Sequence, residues 1–151
     1  MKKILTIMMM VSFVFAGRLA LAEIGGIKDV VVYRSPSCGC CGKWVKHLKD
    51  NNFNVVDNVV HDVDSVKRKY GVPSELASCH TAIVGDYVIE GHVPVEDIEK
   101  LLSLKADVLG VAVPGMPVGT PGMEMGDRKD AYKVIAFDKE GRKQVFGVHE
   151  E

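Results

Sequence analysis

The stretch Asp29–Val60 most constrains what this chain can fold into. "DVVVYRS" (Asp29–Ser35) is a short β-branched run and reads as a buried strand. From Gly42, "GKWVKHLKDNN" sets Trp44, Val45 and Leu48 at helical spacing, puts lysines on the other face, and stops at Asn51-Asn52. "FNVVDNVV" (Phe53–Val60) is a second strand. A strand, a helix and a strand so closely spaced form a crossover, and such crossovers are right-handed.

The pattern continues. "DVDSVKRKYGVP" opens on aspartates suited to a helix cap, carries Val63, Val66 and Tyr70 as its apolar face, and ends at Gly71 and Pro73. "CHTAIVGDYVIEG" holds two short strands around a Gly85-Asp86 turn, where positive φ is expected. "PVEDIEKLL" is a helix with Pro94 in its first turn, acids near its start, and Val95, Ile98, Leu101 and Leu102 as its stripe. The order β-α-β-α-β-β-α matches the thioredoxin-like arrangement, an α/β fold. That core spans about residues 29–104. In the remainder, 105–151, "GVAVPGMPVGTPGMEMG" (Gly110–Gly126) is rich in methionine, proline and glycine, with no helical or strand period. "YKVIAFDKEGRKQVFGV" then alternates around Lys139-Glu140-Gly141, a β-hairpin. The tail is too poor in apolar residues for its own core and is expected to be an appendage of the same domain.

The first residues set the compartment. "MKKILTIMMMVSFVFAGRLALA" has two lysines, an apolar run from Ile4 to Ala16, and a small-residue site at Ala20-Leu21-Ala22. Residues 1–22 therefore read as a cleavable signal peptide, with residues 23–151 as the mature domain. A membrane anchor needs about 20 apolar residues, and Arg18 interrupts this run. Without Lys2, Lys3 and Arg18, the 19 basic residues fall to 16 against 20 acidic ones. That mildly acidic balance argues against nucleic acid or an anionic membrane as partner. The expected location is the periplasm.

An even number of cysteines in an exported chain ordinarily signals disulfides. Here Cys38, Cys40 and Cys41 crowd one turn, between the first strand and the first helix, and the fourth is Cys79. Three cysteines in one turn staple little. A bridge between Cys40 and Cys41 would be strained, so Cys38–Cys41 is the easy local pair, leaving Cys40 over. Gly39 and Gly42 are expected to let the backbone curl so that the sulfurs converge. In the thioredoxin topology, the segment entering the third strand passes the first-helix cysteines. Thioredoxins keep a cis-proline there; this chain has Cys79-His80-Thr81. Four sulfurs are thus expected in one pocket.

Thiolates are soft ligands for Cu(I), zinc or iron–sulfur clusters. Tetrahedral zinc sites usually draw two spaced cysteine pairs, whereas C-x-C-C suits bridging sulfurs in a polynuclear Cu(I) cluster. The ranking is copper, then zinc, then iron–sulfur. Past the leader, the methionines are Met116, Met123 and Met125, all in the irregular loop; thioether favours Cu(I). His80 adjoins Cys79, and His92 in "EGHVP" lies on the cysteine side, so each is a candidate ligand or supporting donor. Hydrolase and nucleotide motifs are absent from the sequence.

"CGCC", "SCHTA", "EGHVP" and "VPGMPVGTPGME" together resemble the exported CopG-type copper-resistance family of Gram-negative bacteria. The resemblance runs from about Asp29 to the final hairpin. It implies a thioredoxin-like fold and a cysteine-bridged multinuclear copper cluster, with a role in copper redox handling. Matched by position, it puts the family's C-x-C-C on Cys38, Cys40 and Cys41, its fourth cysteine on Cys79, and its methionine motif on Met116 and Met123. The resulting expectation is a periplasmic copper-binding protein with copper efflux or chaperone proteins as partners. The rivals are a thioredoxin-type thiol–disulfide oxidoreductase and a passive copper chaperone.

Overall fold

A computed structural model describes residues 28–150. The signal-peptide reading of residues 1–22 lies outside the described residues. Seven strands and three α-helices follow one another as β1 (Lys28–Arg34), α1 (Gly39–Asp50), β2 (Phe53–Val59), α2 (Val63–Lys69), β3 (His80–Val84), β4 (Tyr87–Glu90), α3 (Val95–Leu104), β5 (Gly110–Ala112), β6 (Tyr132–Phe137) and β7 (Lys143–His149). A 3-10 turn at Ser74–Leu76 lies between α2 and β3. The strands form one mixed sheet in the order β2-β1-β3-β4-β5-β6-β7. β1 runs parallel to β2 and antiparallel to β3, and β4 runs parallel to β5.

Period-two alternation divides the core between the sheet's faces. Val30, Val32, Ala82, Val84, Ile89 and Val111 face Trp44, Val45 and Leu48 of α1 and Ile98 and Leu101 of α3. On the other face Val88, Ala112 and Phe137 pack with Leu76, Tyr70 and Ile83. Trp44 is fully buried, and its indole N–H donates to the Val93 carbonyl at 2.9 Å.

Several expectations need correction. α1 starts at Gly39, not Gly42, so Cys40 and Cys41 belong to its first turn and Cys38 is its N-cap. Gly39 and Gly42 do not curl the chain: neither has positive φ, and a methyl group at either would meet nothing. The sulfurs converge because one helical turn separates the cap residue from Cys41. The apolar residues of α2 are only half-buried, and the buried residue of that helix is Lys67. In the Gly85-Asp86 turn only Gly85 takes positive φ. Pro94 caps α3 from outside.

The largest correction concerns the tail. Gly110–Ala112, at the head of the stretch expected to be irregular, is a strand paired with both β4 and β6. The final hairpin forms as expected, around Gly141 with φ 80°. It extends the main sheet through β5. The three-residue β5 is too short for any period to register in sequence. Its neighbours identify it: Gly110 lies so close to β4 that an added Cβ would come within 2.0 Å of the Val88 carbonyl oxygen.

Trp44 links α1 to the sheet and to the loop after β4, so its loss leaves a large cavity. Trp44→Ala is expected to lower stability by about 3–5 kcal/mol, read from the urea midpoint of the metal-free protein.

Candidate metal centre

The strand directions bring the chemistry to one end of the sheet. Since β1 and β4 point the same way, the exit of β1, the entrance of β3 and the exit of β4 share an edge. Arg34 is paired with His80, and Thr81 with Glu90. From this edge rise the turn carrying Cys38 and the start of α1, the segment Ser78–Cys79, and the loop holding His92. β5 ends there too, with Ala112 opposite Glu90, and it releases the loop 113–126 over the same edge.

Cys38, Cys40, Cys41 and Cys79 have their sulfurs within 4.8 Å of one another. A second set, Cys41, Cys79, His80 and His92, brings one ligand atom from each residue within the same limit. The two sets share Cys41 and Cys79. Metal–sulfur bonds of about 2.3 Å hold sulfurs roughly 3.8–4.0 Å apart, a spacing inside the 4.8 Å limit that both sets meet. Cys38 and Cys41 are joined by a disulfide, while Cys40 and Cys79 are free. The Cys38 and Cys40 sulfurs are 3.4 Å apart, and the Cys41 sulfur lies 3.8 Å from the Cys79 carbonyl. The four-sulfur set can bind as thiolates only once the Cys38–Cys41 bond is reduced.

Both histidines are fully buried. His92 Nδ1 lies 2.7 Å from the Pro121 carbonyl oxygen. A carbonyl only accepts, so Nδ1 carries the hydrogen and the Nε2 lone pair points at Cys79 Sγ, 3.1 Å away. A ring fixed by one nitrogen with the other free toward a thiolate is the form a metal-binding histidine takes. His80 Nδ1 lies 3.3 Å from the same sulfur, and its ring packs on Trp44 with centroids 4.3 Å apart. Its Nε2 is buried with no hydrogen-bond partner among the described residues. Burying a polar atom without a partner costs about 1–3 kcal/mol, which points to a role for the ring beyond packing.

Burial holds both imidazoles below their ordinary pKa: His80 far below, with His92 and Lys67 adding to the effect, and His92 against the opposing pull of the Pro121 carbonyl. Burial also pushes the Cys79 thiol up to about 11, helped by neighbouring Cys40. The metal-free pocket therefore holds neutral donors, and a soft cation would take the place of the thiol proton.

On the far side of β3, a polar network fixes Cys79. Glu90 accepts from Lys67 Nζ at 2.6 Å, from the Ser78 backbone N–H at 2.5 Å and from the Thr81 hydroxyl at 2.7 Å. Lys67 Nζ also reaches Thr81 Oγ1 at 3.2 Å. Glu90 is fully buried and Lys67 nearly so. Both carboxylate oxygens are satisfied, and one holds the peptide just before Cys79.

The methionine loop joins the site through its backbone. Pro121 orients His92, and Gly122, with φ 88°, sits so close that an added Cβ would lie 2.9 Å from Trp44 N and 3.0 Å from the Cys40 carbonyl. Met116 is half exposed and Met123 half-buried on the same loop. The Pro121 carbonyl and the Glu90–Lys67 pair were missed by sequence reading. Only a charged residue at a core-facing position of α2 could have signalled the pair.

A family model described as a protein of unknown function, DUF411, matches residues 76–123, which carry Cys79, both histidines, Met116 and Met123. Two solved structures, titled copper resistance protein copG, form 2 and form 1, match at 46% and 47% identity with TM-scores of 0.80 and 0.79. Each match covers 83% of this chain and 100% of the other. The chain belongs to the CopG copper-resistance family. Its mixed α/β architecture, one sheet with three helices, resembles CopG. Among curated proteins, none matches. No helix among the described residues is long and apolar enough to cross a membrane.

Two outcomes follow from the geometry. Glu90→Ala strands the Lys67 ammonium in the interior and is expected to cost about 3–5 kcal/mol, measured by denaturant unfolding. The depressed histidines give a pH dependence of known sign. Below about pH 6.5 the unfolded chain takes up protons that the folded, metal-free chain refuses. Stability should therefore fall steadily as pH drops from 7 to 5, and His92→Gln should shallow that slope.

Proposed function

We propose that this chain is a periplasmic copper-binding protein of copper resistance. In its reduced form, Cys38, Cys40, Cys41 and Cys79 hold a multinuclear Cu(I)–thiolate cluster. The observation that carries this reading is the pair of donor sets, each within 4.8 Å, that share Cys41 and Cys79. Membership of the CopG family supports it. Thiolates are the donors Cu(I) prefers. Three of them on one helical turn, with a fourth opposite, favour shared sulfurs over a single isolated ion. His80 and His92 cap the cluster from the β3–β4 side. Met116 and Met123 supply thioethers on the loop above, where copper would arrive or leave. The sheet order β2-β1-β3-β4, with β1 and β2 parallel and β3 antiparallel to both its neighbours, supports the thioredoxin-like reading. Sulfur donors that stabilise Cu(I) beside nitrogen donors that accept Cu(II) would let the site hold copper in either oxidation state. Partners in this reading are copper efflux or copper chaperone proteins.

One observation favours a second reading: Cys38 and Cys41 form a disulfide at a helix N-terminus, as in thiol–disulfide oxidoreductases. Against it, Cys79 and two buried histidines crowd the place where a thiol substrate would dock.

Anaerobic titration of the fully reduced chain with Cu(I) separates the readings. More than one copper per chain, with sulfur-to-copper absorption in the near ultraviolet, is expected. A single zinc taken up in preference to copper, or no metal at all, would overturn the copper reading. Rapid insulin reduction that survives Cys40→Ser and Cys79→Ser would establish the rival.

A further inference from the structure

The two donor sets compete for the same sulfurs, and the Cys38–Cys41 bond decides between them. When that bond is closed, Cys38 and Cys41 carry no charge and the four-thiolate set is lost. What remains intact around Cys79 is Cys79 Sγ, His80 Nδ1 at 3.3 Å and His92 Nε2 at 3.1 Å. We propose that the disulfide form of the pocket binds one Cu(II) ion through Cys79, His80 and His92. The oxidation state of the sulfur pair would then select the oxidation state of the copper held. The inference rests on the copper reading above and assigns the histidines a job beyond capping.

The donor chemistry supports it. One thiolate and two imidazoles in a trigonal array, with a weak fourth sulfur, is a set suited to copper that cycles between Cu(I) and Cu(II). Here the weak fourth position falls to Cys41, whose sulfur belongs to the same cluster of ligand atoms. Once bonded to Cys38 it is a neutral sulfur, a weaker donor than a thioether. The distances also suit an ion. Metal–nitrogen bonds of about 2.0–2.1 Å and a metal–sulfur bond of about 2.3 Å place S and N roughly 3.5 Å apart. The Cys79 sulfur and the ring nitrogens need to part by only a few tenths of an ångström.

One ring is already in ligand form and the other is held beside it. His92 is turned by the Pro121 carbonyl so that Nε2 faces the sulfur. His80 packs against Trp44 with its Nδ1 3.3 Å from the same sulfur. Neither arrangement helps a site made of sulfur alone. Cys79 itself is held by the peptide of Ser78, which donates to buried Glu90. Closing or opening the Cys38–Cys41 bond therefore need not move the nitrogen side of the pocket. Opening it consumes two electrons and two protons from a dithiol donor, which leaves as its own disulfide. The two thiols released restore the four-sulfur set.

Cys40 is a free thiol within 4.8 Å of Cys79. With more than one Cu(II) ion per chain, these two thiols would pass one electron to each of two ions, lose two protons and join into a disulfide, so the test removes that side reaction with Cys40→Ser. This variant is oxidised to the Cys38–Cys41 disulfide, checked by mass, and titrated with Cu(II) without oxygen. One Cu(II) per chain is expected, with intense visible thiolate-to-Cu(II) absorption and two imidazole nitrogens in pulsed EPR. Cys79→Ser in the same background should abolish the absorption, and His92→Gln should remove one nitrogen coupling. If either further variant fails to fold, the count of two nitrogens and one thiolate on the parent Cys40→Ser protein still decides. Suppose the disulfide form takes no Cu(II), or takes it without the thiolate band, while reduced wild-type protein loads Cu(I). The inference then falls and the proposed function stands. Failure of both forms to bind copper overturns both.

Discussion

The pairing of β1 with β3 sets the frame of the candidate metal centre. Arg34 lies opposite His80, so the last residue of the first strand and the first residue of the third meet at the sheet edge. The turn that follows β1 lifts Cys38 to the start of α1, and the segment that precedes β3 delivers Cys79 across from it. Because side chains alternate along a strand, this register also sorts the next residues. His80 turns to the α1 face, against Trp44, and Thr81 turns to the α2 face, against Lys67. A slip of one residue would exchange them. An imidazole would then point at the ammonium and a threonine at the sulfurs.

That register is expensive to hold with apolar packing alone, because the edge is where polar groups gather. Glu90 and Lys67 resolve the conflict in an unusual place, under the sheet and not at its surface. An interior ion pair is weak evidence for stability, since desolvation cancels much of the attraction. Its value here is directional. One carboxylate gathers an ammonium, a hydroxyl and the peptide N–H of Ser78, from α2, β3 and the segment before β3. A hydrophobic replacement of equal volume would fill the space without stating where Ser78, and so Cys79, must sit.

Much of this was readable in the chain. The order of the first seven elements followed from periodicity and turn residues, and the cysteine convergence followed from that order. The readable part ended where length or environment overrode pattern. β5 has three residues, too few to show alternation, so the stretch beginning at Gly110 looked structureless until its neighbours were known. α2 displays Val63 and Val66 at helical spacing, with Tyr70 at its C-cap, yet buries Lys67, because the partner is a carboxylate on a strand 23 positions away. Hydrophobic spacing carries no information about such a partner. The glycines misled in a similar way. Those beside the cysteines drew attention, but glycines with no room for a side chain include Gly91, against Ser78 and the Val113 carbonyl, Gly110, against β4, and Gly122, against α1.

Gly122 shows why the loop after β5 belongs to the site, whatever its methionines do. The loop must bring the Pro121 carbonyl within hydrogen-bonding reach of His92 while passing over the first turn of α1. At that crossing the backbone of the loop and the backbone of the helix nearly touch, and positive φ with no Cβ is the conformation that permits it. The first helical turn, which presents Cys40 and Cys41, and the ring that faces Cys79 are thereby spanned by two consecutive loop residues. Any displacement of the loop moves the acceptor that fixes His92, and with it the nitrogen available to a metal. The sulfur side of the pocket is set by the helix, His92 by the loop and His80 by its place on β3. Cys79, anchored separately through Ser78 and Glu90, is the donor common to both.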